Sequence, residues 1–328
     1  MKKMKILTST ILVTLGLCAA LFLIDKTLYS NWYIKNSSPN KTEISWTKFT
    51  WINQTLNGKY YEKTAMLIPC KIEGIENNAT FQFDLGSGYT GIYENTYSSF
   101  YKVNPKLKNK IKRLKSNIQF WNKNKYFENL KLQFGNYTAT NKVAYVFKDY
   151  GRKVKNITVK DTIHLGTVGA DIFKNKILII DYPNKQFAIC DKIPENYAEQ
   201  LIDIKLDKYG KIILPLKKNG KNYEIMFDNG SSLFPLITSA KNISNFSNSP
   251  DIDTIQISSW GKTHGVTGKI IKDTFQLAGQ NYVNVKIYAN HSGLGIAKNT
   301  DGMAGNALFW DNTIIIDFKN KKFGIRRK

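Results

Sequence analysis

The sequence is poor in the residues that most catalytic centres need. Its 328 residues include only three histidines and three cysteines. His164, His264 and His291 lack ligand spacing, and no cysteine clusters with them, so a His/Cys metal centre has no basis. No G-x-S-x-G surrounds Ser87 or Ser231, which removes the serine-hydrolase elbow. Gly86-Ser87-Gly88-Tyr89-Thr90-Gly91 fits G-x-G-x-x-G, but no amphipathic helix follows it, which argues against a dinucleotide fold. No cofactor is implied. Acidic residues are also few, 25 against 48 Lys and Arg, for a net charge of +23. The lysines are scattered among Asn, Tyr and Thr with no dense basic block. That argues against a nucleic-acid partner and for an anionic neighbourhood, such as lipid or a cell-surface polymer.

Helix-period patterns are scarce after residue 30. Short apolar runs separated by Gly, Asn, Lys and Pro recur instead, and 42% of residues are hydrophobic. The chain is therefore expected to be mainly β, with enough apolar material for packed cores.

At the N-terminus, three lysines precede Ile6 to Ile24, which are 19 residues without a charge. A spanning helix needs about 20. The flanking charges predict a cytoplasmic N-terminus and an exported body. Cys18-Ala19-Ala20 is followed by Leu21-Phe22-Leu23, so no clean signal-peptide cleavage site stands out. Leu17 is too large for the position before a lipidated cysteine. The expected organisation is a signal-anchor at 1–30, a tether at 31–59, one lobe at 60–192 and a second at 203–328. Residues 191–202 form the hinge. Cleavage of the anchor would instead give a secreted protein. In the body, Cys70 and Cys190 can form an exported disulfide or remain buried thiols.

The lobes follow from an internal repeat. Phe173 to Ile189 and Phe309 to Ile325 align without a gap, with 8 of 17 positions identical. Each reads as a strand ending in Asp (Asp181, Asp317), an Asn-Lys turn and a second strand. Upstream, Val168-Gly169 faces Ala304-Gly305, Ile68-Pro69 faces Leu214-Pro215, and Phe83-Asp84-Leu85-Gly86-Ser87 faces Phe227-Asp228-Asn229-Gly230-Ser231. Leu130 to Phe147 pairs with Phe275 to Tyr288. One Asp-x-Gly-Ser is an ordinary turn. Two copies, each at the end of an apolar strand in a duplicated body, place Asp84 and Asp228 face to face across a pseudo-twofold axis. Carboxyl groups in such contact share a proton, so one can activate water while the other donates to a carbonyl under attack.

These motifs resemble the pepsin/retropepsin superfamily of aspartic proteases in its two-lobed form. The resemblance covers about residues 60–328 and implies two barrel-like β lobes with a central cleft. It also implies endopeptidase activity on an extended peptide or protein substrate. It assigns Asp84 and Asp228 as the catalytic dyad, with Gly86, Ser87, Gly230 and Ser231 in support and no metal. Gly169 and Gly305 would brace the Asp loops, and the Ser87 and Ser231 hydroxyls would orient the outer carboxylate oxygens. Trp121 and Trp260 are candidates for closing over substrate. Two positions depart from the pattern: Leu85 and Asn229 stand where the family carries Thr or Ser. Asn229 can still bond across the axis, whereas the Leu85 side chain cannot. The departures also raise an alternative, an inactive two-lobed protein that binds a peptide or cell-surface polymer.

Overall fold

The computed structural model describes residues 34–36, 44–56, 58–113, 125–158, 160–197, 201–259, 262–292 and 299–327. The apolar segment 6–24 and both candidate tryptophans, Trp121 and Trp260, lie outside them. No helix among the described residues is long and apolar enough to cross a membrane.

The chain is mainly β, as its patterning predicts. In strand Ile75–Phe83 the buried residues are Ile75, Ala79, Phe81 and Phe83, alternating with partly or fully exposed neighbours. That period of two drives one face into a core. Most strands fall into two large sheets with the same central order. In the first, Ile75–Phe83 pairs antiparallel with Lys59–Ile72 and parallel with Thr162–Val168, which also borders Gly91–Tyr93. Gly91–Tyr93 in turn runs parallel to Tyr137–Phe147. In the second, Lys221–Phe227 pairs antiparallel with Ile212–Lys218 and parallel with Gly302–Ala304. Leu236–Ser239 borders Gly302–Ala304 and runs parallel to Val285–Asn290.

A third, six-stranded sheet joins them. The two repeated hairpins meet edge to edge in it, with Ile177–Asp181 antiparallel to Asn312–Asp317 and Ile179 opposite Ile315. Ile179 and Ile315 are equivalent in the sequence repeat, so a local twofold axis passes between them. The same hairpins clamp the Asp-bearing strands. Phe83 packs on Phe173 and Phe187 at 5.5 and 5.7 Å between ring centroids, and Phe227 packs on Phe309 and Phe323 at 5.4 and 5.8 Å. Each buried Phe contributes about 1.5–3 kcal/mol of apolar burial. The residue before each Asp is therefore fixed by packing.

Residues 47–56 differ from the expected tether. Thr47–Lys48 adds to the six-stranded sheet, and Thr50–Leu56 pairs with Lys59–Ile72 as a long hairpin. The polar run hides alternating aromatics: Phe49 is buried against Trp51 and Tyr182, and Trp51 stacks on Tyr182 at 6.1 Å. This hairpin reaches the second sheet, where Tyr61 packs on the cluster of Ile213, Phe234, Tyr288 and Met303. Its counterpart, the turn at 207–211, reaches back to the first sheet, where the Tyr209 ring lies 5.4 Å from Tyr89. Cys70 and Cys190 are free thiols, not a disulfide. Burial raises both pKa values, that of Cys190 to about 11.

Candidate active site

Both Asp-x-Gly-Ser loops are closed by the same backbone bonds. Asp84 N–H donates to Val168 O at 3.0 Å, and Asp228 N–H donates to Ala304 O at 2.9 Å. Ser87 N–H reaches Asp84 O and Ser231 N–H reaches Asp228 O, both at 3.1 Å. Ala170 N–H and Asn306 N–H then secure the Ser87 and Ser231 carbonyls at 2.9 and 3.3 Å. The glycines matter for close approach. A Cβ on Gly86 would overlap the Asp228 carboxyl, and one on Gly230 would stand 2.6 Å from Asp84 Cγ. Each carboxyl thus lies against the glycine of the opposite loop. A Cβ on Gly169 would sit 2.7 Å from Ser87 O, and one on Gly305 would overlap Ser231 O, so both positions press directly on the loops.

The two carboxyls both line a cleft of about 390 Å³, each lying against the glycine of the opposite loop. They are not equivalent. Asp228 Oδ1 accepts Gly230 N–H at 2.8 Å and Gly86 N–H at 3.2 Å, whereas Asp84 Oδ1 accepts Ser87 N–H at 2.9 Å. Two donors favour the anion at Asp228. Burial, followed by the Asp228 charge, holds the Asp84 carboxyl well above the usual carboxylate range. Burial also raises Asp228, and the N–H donors and the Lys211 charge oppose it. The shared proton therefore belongs on Asp84, as the pair titrates in linked steps. Lys211 lines the same cleft and favours the charged form of both.

The loops are also joined across the axis. Leu85 N–H donates to Asn229 Oδ1 at 2.5 Å, so the amide supplies one half of the link that paired hydroxyls would make. The Leu85 side chain is wholly buried, and Asn229 Nδ2 has no partner among the described residues. The second loop has another tie. Asn306 Nδ2 donates to Asn229 O at 2.7 Å and Ser232 Oγ at 3.1 Å, while Tyr182 O–H donates to Asn306 Oδ1 at 2.5 Å. In the first loop, Gly169 N–H donates to Thr90 Oγ1 at 3.0 Å, and Thr90 donates to Asp171 Oδ1 at 2.6 Å.

One detail corrects the sequence reading. The Ser87 hydroxyl donates to Tyr89 O at 2.7 Å and does not orient the carboxylate; its backbone N–H does. The sequence reading also missed Lys211, Thr90, Asp171, Asn306 and Tyr182. Thr90 and Asn306 each lie within six residues of a motif, which is the only local signal they carry. Among the described residues, no three His, Cys, Asp or Glu side chains converge as metal ligands.

No protein-family model and no curated protein matches this sequence. Among solved structures, the aspartic proteinase from Irpex lacteus is similar over 87% of this chain and 98% of its own, at a TM-score of 0.46 and 9% identity. A likeness at that level carries no weight for the reaction, which is read from the geometry alone.

Proposed function

We propose that this chain is an aspartic endopeptidase-like hydrolase with two barrel-like lobes, 60–192 and 203–328, around one central cleft. The observation that carries the reading is the pair of equivalent loops that set the Asp84 and Asp228 carboxyls against each other's glycines, with two N–H donors on Asp228 favouring its anion and leaving the proton to Asp84. In this reading the Asp228 carboxylate draws a proton from a water, and the water oxygen attacks a peptide carbonyl. Asp84 gives its proton to the carbonyl oxygen, and collapse of the tetrahedral adduct releases the amine with a proton returned from the dyad. Gly86 and Gly230 keep the carboxyls in contact, while Ser87 and Ser231 close the loops through their backbones. The substrate is an extended peptide. The same proposal places the body outside the cytoplasm, held to a membrane by segment 6–24 and surrounded by anionic lipid or polymer; fractionation of expressing cells tests that placement.

The test of the reaction is peptide-library cleavage by the full chain across pH 3 to 8, beside Asp84→Asn and Asp228→Asn. Cleavage lost in both variants is the expected result. Cleavage that survives either change refutes the mechanism. If no version cleaves at any pH, the reading passes to a peptide- or polymer-binding cleft, for which the Asn229 Nδ2 without a partner among the described residues and the missing hydroxyl at Leu85 are the motivating observations.

A further inference from the structure

Lys211 stands where the two halves exchange arms. Its position is fixed by the turn before it: Lys211 N–H and Tyr209 N–H both donate to Asp207 Oδ1, at 2.9 and 2.8 Å. Its half-buried side chain lines the central cleft and also a second hollow of about 460 Å³, walled by Tyr89, Tyr145, Phe147 and Tyr209. Gly86 and Ser87 line both spaces, so the side hollow opens directly off the dyad. Its rings form a continuous wall, with Tyr89 5.4 Å from both Tyr145 and Tyr209. No salt bridge among the described residues includes Lys211. A second cation, Lys208, lies 4.8 Å from the Tyr209 ring. The nearby acids accept hydrogen bonds from neutral donors and form no salt bridge with Lys211 among the described residues. Asp171 accepts bonds from Thr90 and Asn141, and Asp207 from the two backbone amides.

An ammonium at the junction of two hollows, in no salt bridge among the described residues and beside a wall of aromatic rings, favours an anion. Lys211 also favours the dyad's charged form, but that single charge is shared with the Gly86 and Gly230 N–H donors, which leaves the ammonium able to meet a second anion. We propose that Lys211 and the Tyr89–Tyr145–Tyr209 wall form a specificity subsite for an acidic side chain close to the scissile bond of the peptide. The inference rests on the peptide-hydrolase reading and names its substrate class: peptides with Asp or Glu at one fixed position from the cleaved bond. The equivalent place in the first half is Ala65, so only one end of the cleft has this preference.

The experiment compares matched fluorogenic peptides carrying Glu or Gln at each successive position, with the full chain and with Lys211→Met. The expected result is a Glu-over-Gln preference in kcat/KM of roughly 10-fold to 100-fold at one position, the span of one charge-assisted hydrogen bond. In Lys211→Met that ratio falls towards 1, whatever happens to the absolute rate. Cleavage with no acidic preference at any position overturns the subsite and leaves the hydrolase reading standing. So does a preference that Lys211→Met leaves intact. If nothing is cleaved, the hydrolase reading fails separately, and fluorescence anisotropy of the same peptides on the full chain decides the subsite. Glu peptides must then bind about 10-fold tighter than Gln peptides, with the difference lost in Lys211→Met; equal or absent binding overturns it.

Discussion

Replacing Asp171 by Asn should flatten part of the pH dependence of stability. Asp171 Oδ1 accepts the Thr90 hydroxyl at 2.6 Å and Oδ2 accepts Asn141 Nδ2 at 3.0 Å. Burial outweighs these bonds and raises its pKa from 3.8 to about 6. The unfolded chain loses this proton near the lower value and the folded chain near the higher one. Between them the folded state holds more proton, so stability falls as pH rises through the window. At about 1.4 kcal/mol per pKa unit, the full effect approaches 3 kcal/mol, and residual solvent contact at this residue brings the expectation to about 2–3 kcal/mol. Denaturant midpoints at pH 3, 5 and 7 measure it. The wild-type chain should lose that much relative to Asp171→Asn between pH 3 and 7. The constant cost of altered hydrogen bonds cancels, because only the difference in slope is read. Parallel curves would refute the reasoning. The effect bears on the site, since Thr90 links Asp171 to the Gly169 amide that braces the Asp84 loop.

Asp84→Asn should abolish cleavage yet raise thermal stability at pH 7, because it removes a carboxyl whose ionisation the fold opposes. The gain should shrink as pH falls towards the usual carboxylate range, and melting curves at pH 4 and 7 decide it. Gly86→Ala should push the carboxyls apart, with activity lost and a stability cost of about 1–3 kcal/mol from overpacking. Gly220→Ala, with open space around it but a φ of +73°, should cost only about 1 kcal/mol and leave cleavage intact, as paired denaturant titrations would show. Tyr182→Phe removes the hydroxyl bonded to buried Asn306 Oδ1 and should cost about 1–3 kcal/mol in the same titration.

What the sequence made legible is what duplication repeats. The hairpins at 173–189 and 309–325 share enough residues to be matched by eye, and their equivalence is what allows Ile179 to face Ile315 on an axis. Phe83 and Phe227 precede their aspartates for a packing reason that the same hairpins supply. Contacts between the halves were not legible. Tyr209 meets Tyr89, Tyr61 meets the second sheet, and Lys211 meets the dyad only after each half lends the other an arm. No spacing along the chain records such an exchange. Phe49 and Trp51 were hidden because their neighbours are polar, and their partner Tyr182 is more than 130 positions away.

The departures from the repeat bear on the chemistry more than the repeat does. Two identical loops would give two carboxyls with no reason for either to keep the proton. Here the second loop is tied by Asn306 and Tyr182, where the first has Ala170 and Phe318 at the matching places. Asn229 reaches across to Leu85 N–H, and Leu85 returns nothing from its side chain. The Gly86 amide turns to Asp228, so Asp228 collects two donors against one for Asp84. Lys211 then adds a positive charge on one side of the axis only. A symmetric frame brings the acids together, and in the proposed mechanism these few unpaired substitutions would set which serves as base, which as acid, and from which end a charged substrate would be read.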